Sequence, residues 1–85
     1  MDSSNTSKGL KLETPANYRI RVQGLLEDTW TERLGGMAIM QDMTAKSLVT
    51  ILEGYLVDQA ALSGVLNTLY ELHLPLLSVE NLDEK

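Results

Sequence analysis

A chain of 85 residues makes one small domain whose burial on folding is only marginally sufficient, so added burial through association with further copies is expected from size alone. With 44% hydrophobic and 22% charged residues it is not disordered as a whole, and the lack of cysteine excludes disulfides, thiolate zinc sites, iron-sulfur clusters and cysteine nucleophiles. Six bases balance six acids up to Lys46, whereas Ser47–Glu84 holds six acids and no Lys or Arg, a half-chain that would repel a phosphate backbone and so excludes a general nucleic-acid binder.

The first segment, residues 1–16, is rich in Ser, Thr, Asn and Lys and reads as a flexible tail closing on Thr14-Pro15. It has no apolar core of the kind a secretory signal needs, which leads to the expectation of a cytoplasmic protein. In YRIRVQGLL, Tyr18, Ile20 and Val22 alternate with Arg19, Arg21 and Gln23, the period of a strand with one buried face. EDTWTERLGG follows as a connection with room for a single helical turn around Trp30–Leu34. MAIMQ (37–41) suits a second strand between Gly35-Gly36 and DMTAKS. LVTILEGYLV (48–57) is apolar on both phases, as in a central strand or one bulged near Gly54.

At Asp58 the period changes. Asp is a good N-cap, and Leu62, Val65, Leu66, Leu69 and Leu72 then recur at the spacing of one helix face. The helix must end at His73, the chain's only histidine, because Pro75 forces Leu74 towards extended geometry; His73 then stands where a left-handed residue is wanted. LLSV resumes as a last strand, and the charged end, residues 83–85, reads as frayed. The longest charge-free run, Gln59–Tyr70, is too short to span a bilayer, so no membrane partner is expected. Together these elements predict an α+β domain over residues 17–82. Its order is βββαβ: three meander strands, then a helix packed on one sheet face and leading by a right-handed crossover into a C-terminal strand.

From Val57 to Val79, VDQAALSGVLNTLYELHLPLLSV resembles a small family of uncharacterised bacterial proteins, well represented in cyanobacteria, that share a pattern similar to VDQAALxGLLNxLxxLGLPLLSV. Tyr18, Gly24, Trp30 and Gly36 fit the looser upstream pattern. The resemblance implies a compact α+β domain and carries no activity, substrate or cofactor. Two positions depart from it: Ser63 stands where relatives often have His, and His73 where they often have Gly.

No residue set qualifies as catalytic, cofactor-binding or metal-binding. His73 has leucines on either side and is explained by capping, and Glu27, Asp28 and Glu32 beside Trp30 read as solvated loop carboxylates. Gly35-Gly36 lacks the pattern of a phosphate loop. Arg19 and Arg21, on one strand face, are the candidates for contact with an anion or a partner. Gly64 admits two readings, close backbone approach by a strand or second subunit, and a tolerated surface glycine. A sheet covered by one helix leaves its other face to be solvated or paired, and Val49, Ile51 and Tyr55 are the candidates for an oligomer interface. The expected function is therefore a non-enzymatic, homodimeric interaction or regulatory module, with another protein as a candidate further partner and with no cofactor. The alternative is a small-ligand sensor resembling ACT-like domains; a cofactor-free enzyme on a dimeric α+β barrel ranks last.

Overall fold

Alternation along ANYRIRVQ sets the first strand, β1 (Ala16–Gln23): Ala16, Tyr18, Ile20 and Val22 are buried, and the side chains between them face the other way. The computed structural model describes residues 15–83. Most of the segment read as a tail, and the last two positions of the segment read as frayed, lie outside the described residues; β1 begins at Ala16, one residue inside that tail. A 3-10 segment (Asp28–Leu34) follows, then β2 (Ala38–Gln41), β3 (Val49–Leu56), α1 (Gln59–Glu71) and β4 (Leu76–Asn81). This is the α+β fold and the βββαβ order that the sequence predicts.

The strand order across the sheet is β2-β3-β1-β4, and every neighbouring pair is antiparallel. A three-strand meander would place β2 between β1 and β3. Instead β1 pairs with β3 over its full length, from Ala16 opposite Leu56 to Gln23 opposite Val49, and with β4 on its other side. The cause lies in the lengths: residues 24–37, which include the 3-10 segment, are far too long for a hairpin, while the two eight-residue strands match one another and take the centre. The short β2 is left at an edge, where short strands limit unwanted pairing. Since β3 and β4 are both antiparallel to β1, they run parallel to each other, and α1 links them across β1.

The expected bulge near Gly54 is absent. The β1–β3 register runs unbroken through Tyr18 opposite Gly54, and the irregularity falls instead in the β1–β4 ladder, where Leu77 is the extra residue between Leu76 and Ser78. Gly54 serves a different purpose: a Cβ there would stand 3.0 Å from Met37 Cα, so glycine admits the fully buried Met37 against the sheet.

The helix forms as its sequence dictates. Asp58 Oδ1 accepts the Ala61 N–H at 2.8 Å, capping the N-terminus. Leu62, Val65 and Leu69 are buried against β1 and β3 residues, with Leu66 and Leu72 packed at the margin of the same core. At the C-terminus His73 takes φ 61°, its N–H donates to Tyr70 O at 3.0 Å, and Leu74 N–H donates to Leu69 O at 3.1 Å. That pair of bonds is a Schellman motif, and it turns Leu74 back onto the core. Within one copy, nothing but the helix's own backbone lies within 4 Å of where a Gly64 Cβ would stand, so no strand approaches the helix there.

Candidate functional site

On the helix-free face of the sheet, β1 brings Arg19 between two cross-strand neighbours, Glu53 of β3 and Glu80 of β4. Arg19 Nε donates to Glu53 Oε2, and its Nη1 lies 3.4 Å from Glu80 Oε1. The hydrogen bond and opposite charge of Glu53, with a smaller share from Glu80, hold the Arg19 proton above the usual guanidinium range. Arg21 reaches the end of β2, where its Nη2 donates to Asp42 Oδ2 at 3.0 Å. The other Asp42 oxygen accepts the Thr44 hydroxyl at 2.6 Å and the Thr44 N–H at 3.0 Å. These two bonds, then Arg21, hold the Asp42 carboxyl below the usual carboxylate range.

Arg19 and Arg21 thus share one face as expected, and each is engaged by a carboxylate. An incoming phosphate would meet Glu53, Glu80 and Asp42 at the same place. Of the three residues named for an oligomer interface, Val49 is only 4% exposed within one copy, Ile51 is half-buried and Tyr55 is 54% exposed. The acids Glu27, Asp28 and Glu32 are exposed at the start of and within the 3-10 segment, in which Arg33 lies over the Trp30 ring at 5.3 Å. Among the described residues no group of His, Asp and Glu side chains is placed to hold a metal ion.

A second feature was not foreseen from the sequence. The helix packs against β3 and the 3-10 segment, away from the edge strand β4, and the sheet margin beneath it stays open. There a groove of about 770 Å³ runs between the last turns of α1 and the start of β4, lined by Leu66, Leu69, Tyr70, His73, Leu74 and Leu76. Its lining is largely apolar, with Tyr70 81% and Leu76 51% exposed. Leu77 and Leu82 continue the exposed apolar surface along β4 and the turn after it. The Schellman turn positions this groove: it ends α1 where β4 must begin, and Pro75 O accepts the Gln23 N–H at 2.9 Å to anchor the strand's start. The available sequence signal was the surplus of leucines after Tyr70, more than one helix face and one strand face can bury.

Thr50 was also missed. It is fully buried on the helix-facing side of β3; its hydroxyl donates to Gly24 O at 2.7 Å and accepts the Leu26 N–H and a Gln41 side-chain N–H, each at 3.2 Å. One hydroxyl therefore ties the turn after β1 to both β2 and β3.

Among known proteins, no curated sequence and no solved structure matches the chain. A family model does, over residues 17–80, the span from β1 to β4 that carries both the charged face and the groove. The chain belongs to this family, a domain of unknown function, DUF8691.

Proposed function

We propose that the domain is a non-enzymatic interaction module that works as a homodimer in the cytoplasm. The observation that carries this reading is the apolar groove opening onto an edge strand whose own leucines are exposed. Exposed apolar surface beside an open sheet edge is a liability in a lone small domain and is relieved when a protein covers it. No helix among the described residues is long and apolar enough to cross a membrane, in keeping with this reading. Sedimentation of the full chain across a micromolar concentration series tests it. A concentration-dependent shift to twice the monomer mass is expected, and a single monomer boundary throughout would overturn it.

A second reading is supported by the groove's size. About 770 Å³ with a mostly apolar lining lies within the range of small-molecule sites, which suits a ligand sensor. A thermal-shift screen of small apolar acids and amides should then find a compound whose effect is removed by Tyr70→Ala. A flat screen would leave the groove to a protein.

A further inference from the structure

We infer that the second copy docks on the edge of β4, two β4 strands pairing antiparallel about a two-fold axis at Val79 to form a continuous eight-stranded sheet. This deepens the homodimer reading and rests on it. The ladder to β1 decides which groups are offered: Leu82 N–H donates to Asn17 O, and the pairing Arg19–Glu80 and Arg21–Ser78 keeps the same parity. In an antiparallel strand the alternate residues then turn their N–H and C=O the other way, so those of Val79 and Asn81 point out from the edge. A two-fold axis at Val79 sets Val79 opposite the partner's Val79 and Asn81 opposite the partner's Leu77, so the outward groups of both copies meet.

Side chains select this register over its neighbours. With the axis at Val79, each Glu80 stands opposite the partner's Ser78, and each Glu80 keeps Arg19 of its own copy. Moving the axis one residue further along would set Glu80 opposite the partner's Glu80, a like-charge pair. Moving it one residue back would set Glu80 opposite the partner's Leu76. The Ser78 hydroxyl oxygen is buried and, within one copy, has no hydrogen-bond partner. A step of χ1 between staggered wells would turn it to the carboxylate that the register brings alongside.

The groove supplies the remaining apolar area. The groove opens along this edge, so its exposed lining residues Leu76 and Tyr70 lie beside the incoming strand. The helix-free face is the poorer surface for the same purpose, because face-to-face pairing would bury the ion pairs of Arg19 and Arg21 at its centre.

The absence of cysteine from the chain makes the test direct. Paired residues exchanging both hydrogen bonds have Cα atoms about 5.5 Å apart, within the span of a disulfide. Val79→Cys in the full chain should therefore oxidise to a covalent dimer at micromolar concentration, while Tyr55→Cys on the helix-free face should not. Leu77→Lys, at an exposed position, should weaken the dimer at least tenfold by sedimentation while leaving the far-ultraviolet circular dichroism unchanged. A dimer by sedimentation that Val79→Cys fails to cross-link, or that Leu77→Lys leaves intact, overturns the β4 edge and spares the homodimer reading. A monomer at every concentration overturns both.

Discussion

Thr50 shows how much one buried hydroxyl can organise. Replacing it by Val keeps the shape but leaves the Leu26 N–H and the Gly24 carbonyl without their partner inside the protein. An unsatisfied buried polar group costs about 1–3 kcal/mol, so Thr50→Val should lower stability by that amount in a denaturant melt. Wild-type stability would mean that the turn after β1 finds other donors. Gly64 lies at the opposite extreme, exposed in mid-helix with nothing near its missing side chain. Gly64→Ala should therefore stabilise the domain by about 1 kcal/mol through helix propensity. A loss instead would place a partner's backbone against that position.

Along α1 the two ends were the legible parts. The period from Leu62 to Leu72, the Asp58 cap and the left-handed His73 were all readable because capping and turn geometry depend on residues close in sequence. With φ at 61°, His73→Gly should be neutral or mildly stabilising, since glycine meets no side-chain strain there. A loss above about 1.5 kcal/mol in a urea titration, more than a cap exchange should cost, would assign the imbidazole ring a role in the groove. The face itself divides more finely than its period shows. Both Leu66 and Leu69 border the groove, but Leu69 is buried whereas Leu66 is only half-buried. Leu69→Ala should cost roughly 2–5 kcal/mol, and Leu66→Ala distinctly less. Equal losses would mean that the groove is filled in solution.

Acid should loosen the molecule through the clasp that joins β1 to the end of β2. The Asp42 carboxyl is held below its ordinary range by Thr44 and Arg21, so the folded form binds its proton less readily than the unfolded chain. The stability it contributes is therefore fully present above the unfolded value, about 3.9, and is lost as pH falls through the lower, folded value. The gap in Tm between wild type and Asp42→Asn should be widest at neutral pH and should shrink below about pH 4. A gap that is the same at pH 6 and pH 3 would remove the clasp from the account of acid stability.

What could be read directly from the chain was local: strand alternation at Tyr18–Val22, the change of period at Asp58, and the cap at His73, each set by neighbours within a few residues. The two basic residues on one strand face were legible for the same reason, but their carboxylate partners were not. Glu53 and Glu80 lie 34 and 61 positions from Arg19, and they come together only because β1 enters the middle of the sheet. Strand order depends on which long connections can be spanned and which faces match, and alternation is the same for a meander as for β2-β3-β1-β4. The groove follows from that order: with β1 central and α1 lying towards β3, the edge strand β4 is only partly covered, Val79 packing on the core while Leu76 stays exposed. Periodicity names the apolar face of each element, and packing alone decides how far a neighbouring element reaches across it.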